Sequence, residues 1–407
     1  MTNWKEYRFG DIAEIVMGQS PKGETCNESG IGFPLLNGPT EFTAFYPLPT
    51  QYTTDPKRFS ETNDLLFCVR GSTTGKMNWS DQKYAIGRGI GAIRHRNGAK
   101  LNHFVKGIIE YHLPTLLQSA TGSTFPNVSR EQLNGLKIKA PDLPTQTAIA
   151  EILSSLDDKI ELNNKINQEL ENLAQTLFKQ WFIDFEFPNE NGEPYKSSGG
   201  EMVESELGEI PKGWELGTFG DVIKKESLKV KKSESIVYKV YSAVKTSELV
   251  LSDDYFTKKV YSKSINNYFI VKNNWFAYNP SRINIGSIGL NKTGIGAVSP
   301  VYIVFSTKKY FHFFIEYILQ LENTKNAIIQ RCSGTVRQSL NFEGLSSIPL
   351  KIPNSELVRM FNDFVENNSE HIKMISNETI ELTNLRDTLL PKLISGELEV
   401  SQIKTTS

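Results

Sequence analysis

The chain has 407 residues, 39% of them hydrophobic and 22% charged, with a formal net charge of −1. That length points to two or three domains with ordinary cores; no apolar run approaches the roughly 20 residues that span a bilayer, so no membrane partner is expected. Three scattered cysteines (Cys26, Cys68, Cys332) argue against a disulfide framework or a zinc knuckle, and the first ten residues lack a basic-then-apolar leader, so a cytoplasmic protein with reduced thiols is expected.

The chain is written twice. Trp4 and Phe9-Gly10-Asp11 are answered by Trp214 and Phe219-Gly220-Asp221 at an offset of 210. Gln118, Gly122 and Pro141 are answered by Gln330, Gly334 and Pro353 at 212, and Gly89-Ile90-Gly91-Ala92 by Gly294-Ile295-Gly296-Ala297 at 205. A period this long is a duplicated domain rather than a solenoid repeat.

In chain order, residues 1–146 carry short β-branched runs, Gly/Asn/Thr turns and an amphipathic helix over Leu101–Gln118, which is an α+β domain. Residues 147–184 form a helix. Its seam falls at Ile149, Leu153, Leu156, Ile160, Asn163, Asn167, Leu170, Ala174, Leu177 and Trp181, alternating steps of four and three as in a coiled coil. Residues 185–212 are a proline-punctuated linker, either ordered or flexible. Residues 213–354 repeat the first domain, with strands around Tyr268–Val271 and Val301–Phe305 and one helix over Lys309–Gln330. Residues 355–400 repeat the helix, with its seam at Ile372, Ile375, Thr379, Leu382, Arg386, Leu389 and Leu393. Polar seam residues fix register and partner at some expense of stability. The matched seams favour a pair, the alternative being two helices that each pack on their own domain. A short linker favours antiparallel pairing, which places one domain at each end of a rod of helices about 52 Å long.

Charge is uneven. Residues 1–146 hold 16 basic and 13 acidic residues (+3) and residues 211–354 hold 20 and 10 (+10), whereas residues 147–210 (−10) and 355–407 (−4) are acidic. A polyanion needs local charge, so the +10 segment is the stronger candidate to bind one.

Several motifs imitate catalysis. Gly71-Ser-Thr-Thr-Gly75-Lys76-Met77 misses the phosphate-loop spacing by one residue and lacks the Ser or Thr after the lysine; its amides and Lys76 suit a nucleic-acid phosphate instead. Pro141-Asp142 with Asp157-Asp158-Lys159 spells a nuclease signature, but the second part lies inside the heptad helix. Asn279-Pro280-Ser281-Arg282 lacks the second proline and the aromatic ring of amino-methyltransferases. The five histidines are dispersed, so neither catalysis nor a metal site is expected. What recurs in both domains is donors among glycines: Asn37, Arg70, Ser72, Thr73, Thr74, Lys76, Arg88, Thr124 and Asn127, then Asn279, Arg282, Asn284, Lys292, Thr335, Arg337 and Gln338. Arg reads guanine and Asn or Gln adenine, while Lys, Ser and Thr suit phosphates. The aromatics Trp181, Phe182, Phe185 and Phe187 fit either a local core or a docking anchor.

The openings Trp4–Asp11 and Trp214–Asp221, the linker Pro188–Glu201 with Leu207–Trp214, and Arg386-Asp-Thr-Leu-Leu-Pro-Lys-Leu-Ile-Ser-Gly-Glu397 closely resemble the specificity subunit of type I restriction–modification systems over essentially the whole chain. The resemblance implies two target-recognition domains on antiparallel spacer helices related by a pseudo-two-fold, each reading one half of a bipartite DNA target with an unspecified gap. It implies two modification (methyltransferase) subunits and restriction (translocase–nuclease) subunits as partners. S-adenosylmethionine, ATP and Mg²⁺ would sit on those partners, with no cofactor in this non-catalytic chain. The competing readings are a bivalent protein-interaction scaffold and a methyltransferase or nuclease with fused specificity.

Overall fold

The computed structural model describes residues 4–119, 126–231, 237–262, 264–334 and 338–400. It divides into two compact units, unit 1 being Met1–Asn167 with Met374–Ser407 and unit 2 being Gln168–Lys373.

Unit 1 contains β1 (Lys5–Arg8), α1 (Phe9–Ile12), β2 (Ala13–Met17), β3 (Cys26–Asn27), β4 (Phe33–Leu36), β5 (Gln51–Thr53), β6 (Leu65–Cys68), β7 (Met77–Trp79), β8 (Ala85–Ile86), β9 (Ile90–His95), α2 (Asn102–Ser119), α3 (Arg130–Gly135), β10 (Lys137–Ala140) and the first part of α4 (Leu143–Phe178). An antiparallel sheet runs β2-β9-β6-β7, and a smaller one runs β3-β5-β4-β8 with β4 and β8 parallel. Strand β6 and residues Ile90–Ile93 of β9 are apolar without alternation because both their faces are covered; α2 packs on the core through Phe104, Val105, Ile108 and Ile109.

Unit 2 contains the rest of α4, then β11 (Met202–Val203), β12 (Ile210–Pro211), β13 (Glu215–Thr218), β14 (Ile223–Glu226), β15 (Lys239–Ala243), β16 (Leu249–Leu251), α5 (Ser252–Tyr255), β17 (Phe269–Val271), β18 (Phe276–Tyr278), β19 (Ile288–Leu290), β20 (Gly296–Val298), β21 (Ile303–Thr307), α6 (Phe311–Gln320), α7 (Glu322–Arg331), α8 (Phe342–Ser346), β22 (Pro349–Ile352) and most of the first half of α9 (Ser355–Ser395). Its sheets run β14-β21-β18-β19 and β16-β15-β20-β17, with β15 and β20 parallel. The expected helix over Lys309–Gln330 is broken in two, because buried-side packing holds Leu321 extended (φ −66°, ψ 140°) between α6 and α7.

The repeated Phe-Gly-Asp has a physical job in each unit. Phe9 and Phe219 are buried, and their amides donate to Leu136 and Ile348 carbonyls at 2.8 and 2.9 Å. Asp11 and Asp221 accept the Arg8 and Thr218 amides at 2.8 and 2.7 Å. A Cβ on Gly10 would lie 2.5 Å from the Asn134 side chain, and one on Gly220 would lie 3.3 Å from Ser346. The Gly-Ile-Gly-Ala match, by contrast, is a coincidence of spelling. Ala92 sits on β9, paired with β2 and β6, whereas Ala297 sits on β20, paired with β15 and β17. The strand of unit 2 holding β9's place in the sheet order is β21.

The long helices pair antiparallel within each unit, and the predicted seam faces inward. Ile160 is buried, while Leu170, Leu177, Ile372, Leu382 and Leu389 are half-buried. In unit 1 the contacts are polar. Asn163 donates to Glu378 at 2.8 Å, Asn167 donates to Ser376 at 3.1 Å, and buried Asp157 accepts from Arg386 (3.0 Å) and Lys106 (2.9 Å). Burial alone would raise the Asp157 pKa, but the two cations outweigh it and hold the carboxyl below its usual range. In unit 2 the end of α4 packs instead among aromatic rings, with Phe178, Trp181, Phe182 and Tyr317 of α6 around Phe361 of α9 at 5.2–6.4 Å between ring centres.

The helices end differently from the predicted bounds. Helix α9 stops at Ser395 because Gly396 turns left-handed (φ 77°), and a Cβ there would lie 2.7 Å from Trp4. Helix α4 passes into one π turn, Lys179–Ile183, and Phe185 then takes the left-handed conformation (φ 62°) with its ring edge-on to Trp214 at 5.4 Å. The linker is ordered. Phe187 stacks on Tyr195 and Trp214, and Phe185 and Phe187 are both more than nine-tenths buried, so these two rings belong to the local core.

Candidate nucleic-acid interface

In unit 1, five segments far apart in sequence meet at the edge where β6 ends and β9 begins. The Val69 amide donates to the Gly89 carbonyl at 2.9 Å, and the Val128 amide to the Val69 carbonyl at 2.8 Å. The Gly87 amide reaches Leu36 at 2.8 Å, and the amides of Gly18 and Gln19 reach Ile90 and Ile86 at 2.9 Å. Two glycines make this crossing possible: a Cβ on Gly87 or Gly89 would lie 2.2 or 2.3 Å from oxygens of Asn37.

The edge brings together Asn37, Arg70, Ser72, Thr73, Thr74, Lys76, Arg88 and Asn127. Arg70, Ser72, Lys76, Arg88 and Asn37 are exposed, and Asn37 also donates to Gln51 at 3.1 Å. Thr74 is spent locally, its hydroxyl within 2.8 Å of the Gly71 and Pro126 carbonyls. The expected phosphate-cradling amides are largely spent too: those of Thr74, Gly75 and Lys76 donate to Gly71, Cys68 and Thr73 inside the hairpin. The exposed Lys76 side chain, rather than the amides of its loop, is what remains available at this edge. Segments 18–20, 36–38, 69–76, 87–89 and 126–128 hold Arg70, Lys76 and Arg88 and not one carboxylate.

In unit 2 the corresponding edge follows β18. Asn279 caps a 3₁₀ turn, Pro280–Ile285, its side chain accepting the Ser281 amide at 3.1 Å, so it serves the backbone. Left-handed Gly286 closes the turn against Lys245, whose carbonyl oxygen would be 2.5 Å from a Cβ. The Leu340 amide donates to the Pro280 carbonyl at 3.2 Å, which brings Gln338 alongside. Arg282 and Gln338 are exposed, and half-exposed Asn284 lines a cavity of about 710 Å³ together with Lys245 and Lys292 and with Glu171, Glu248, Glu316 and Glu322. Lys292 is committed elsewhere. It pairs with Glu316 at 2.8 Å, and its charge, after burial, helps depress the His312 pKa to about 4. Thr124, Thr335 and Arg337 lie outside the described residues.

The look-alike catalytic residues have structural work. Asp142 accepts the Thr145 amide at 3.1 Å at the start of α4, Asp157 is held by Lys106 and Arg386, and Lys159 pairs with Glu378 at 3.3 Å. Among the described residues no cluster could hold a metal ion, and no helix is long and apolar enough to cross a membrane. Sequence reasoning missed the Gly18–Ser20 segment, which carries no motif and reaches the edge only through the fold.

Residues 1–172 match the type I restriction modification DNA specificity domain family. The putative type I restriction enzyme MjaX specificity subunit of Methanocaldococcus jannaschii is 33% identical over 43% of this chain, a match that spans only 41% of that relative. The type I restriction enzyme HindI specificity subunit of Haemophilus influenzae is 24% identical over 98% of this chain and all of its own length. In fold, the type I restriction–modification S subunit from M. genitalium superposes with a TM-score of 0.61 at 15% identity, covering 97% of this chain and 96% of that one. Likeness in sequence over residues 1–172 and in fold over almost the whole chain makes this chain similar to the specificity subunits of type I restriction–modification systems.

Proposed function

We propose that this chain is the DNA-reading subunit of a type I restriction–modification complex, with two duplicated target-recognition domains that each read one half of a bipartite duplex site. The observation that carries the reading is the edge of unit 1, where Arg70, Lys76 and Arg88 converge with neutral hydrogen-bonding residues and no acid. A protein surface partner would need no such one-signed edge, whereas a phosphate backbone does. The length of the helix pair sets the gap between the half-sites, and the chain itself catalyses nothing. S-adenosylmethionine, ATP and Mg²⁺ belong to the modification and restriction subunits.

For docking of the modification subunit we assign the helices of unit 1 rather than the linker aromatics. Leu162, Ile166, Met374 and Leu385 are exposed there, each about 100° around its helix from the adjacent seam residue (Asn163, Asn167, Ile375 and Arg386). Changing Leu162 and Ile166 to Glu is expected to abolish co-purification with the modification subunit at an unchanged melting temperature; retained co-purification contradicts the assignment. The DNA reading is tested by selecting bound duplexes from a randomised library with the full chain. Two enriched blocks at a fixed gap, with affinity falling steeply with salt, are expected; binding that is flat in salt and sequence returns the chain to a protein scaffold.

A further inference from the structure

We propose that Gln19 is a specificity-determining residue that reads adenine in the half-site of unit 1. The inference rests on the DNA-reading function above and adds a contact that no sequence motif marks. Gln19 lies two residues past the end of β2, directly after Gly18, where the chain crosses the turn between β8 and β9. A Cβ on Gly18 would lie 2.2–2.7 Å from the carbonyl oxygens of Gly87, Ile86 and Ile90, so only glycine lets the strand pass this close. The crossing is pinned on both sides of Gln19. The Gly18 and Gln19 amides donate to Ile90 and Ile86 at 2.9 Å, and the Ser20 hydroxyl accepts the Arg88 amide at 3.2 Å.

The backbone of Gln19 is therefore fixed while its side chain is exposed. The Ile86 amide in turn donates to the Arg58 carbonyl at 2.9 Å, so Arg58 and Arg88, both exposed, flank the same turn. This is the division of labour a base contact needs: cations beside it for phosphates, and a neutral carboxamide that offers one donor and one acceptor in a plane. That pair matches N7 and N6 of adenine, whereas a single phosphate oxygen would use only half of it. A glutamine held on a rigid crossing keeps its reach, which a glutamine on a mobile loop does not.

The test is selection from a randomised duplex library by the full chain, comparing wild type with Gln19→Ala, Gln19→Glu and Arg88→Ala. Gln19→Ala is expected to weaken the preference for adenine at one position of one half-site by roughly 5- to 150-fold. Its dependence on salt should stay that of wild type. Gln19→Glu, which can only accept, is expected to move that position toward cytosine. If both Gln19 variants select the wild-type motif while Arg88→Ala binds all sequences more weakly, the proposal is overturned and the DNA-reading function stands. A uniform loss of affinity over all sequences, with log K against log salt shallower by about 0.9, makes Gln19 a phosphate contact and also overturns it. A wild-type chain that enriches nothing overturns both readings together.

Discussion

Residues 211–354, in unit 2, carry a net charge of +10 against +3 for residues 1–146, in unit 1, yet unit 1 has the cleaner cationic edge. In unit 1 Arg70, Lys76 and Arg88 stand on one rim among neutral residues. In unit 2 several lysines lie over aromatic rings: Lys225 over Phe342 (5.9 Å), Lys272 over Trp275 (5.1 Å) and Lys309 over Tyr310 (4.7 Å). Others are neutralised, as Lys292 is by Glu316. The contrast teaches that charge summed over a segment measures solubility and long-range attraction, while charge placed on a rim measures contact. A second contrast runs along the helices, polar around Asp157 and aromatic around Phe361.

The largest expected effect breaks the helical contrast. Phe361→Ala removes a fully buried ring packed on Phe178, Phe182 and Tyr317, and should cost about 4 kcal/mol. Asp157→Asn leaves Lys106 and Arg386 without their carboxylate and should cost about 3 kcal/mol. The two losses differ in pH dependence. Because the Asp157 pKa is depressed in the folded state, its contribution is fully present above about pH 4 and fades as pH falls through the lower folded value. Urea titrations at pH 7 and pH 3 should therefore show the Asp157→Asn penalty shrinking in acid, while that of Phe361→Ala does not shrink in step. An Asp157→Asn penalty independent of pH contradicts the ion-pair account.

A smaller effect sharpens the charge contrast. Arg70→Ala, Lys76→Ala and Arg88→Ala combined should make log K against log salt shallower by up to about 2.7, near 0.9 for each phosphate no longer neutralised. Lys225→Ala, Lys272→Ala and Lys309→Ala combined removes the same charge from unit 2 and should change the slope far less. Equal slopes from the two triple variants would mean that summed charge governs after all.

The parts of the fold that could be read from sequence are those in which each residue does a local job. Phe9-Gly10-Asp11 and its repeat are legible because burial, close approach and capping each fix one residue. The seam is legible because a helix imposes its period on whatever it buries. Gly-Ile-Gly-Ala misled because short glycine strings arise wherever backbones cross closely, and two different crossings produced the same letters. Of the candidate site, the loop 69–76 and Arg88 could be named from sequence, but not that hydrogen bonds spend Thr74 and Asn279 on the backbone or that Glu316 holds Lys292. Gln19 was out of reach because nothing local places residues 18–20 beside 87–89; that neighbourhood is made by β2 pairing with β9.

The central claim is that the two units read separately. Its most direct measurement is the motif selected from a randomised duplex library by the full chain carrying Asn37→Ala, set beside that selected by the chain carrying Arg282→Ala. Each variant should degrade one half-site at one or two positions, keep the other half-site unchanged and preserve the gap. If either change degrades both half-sites together, or if neither alters the motif in a chain that still binds, the account of two independent readers is contradicted.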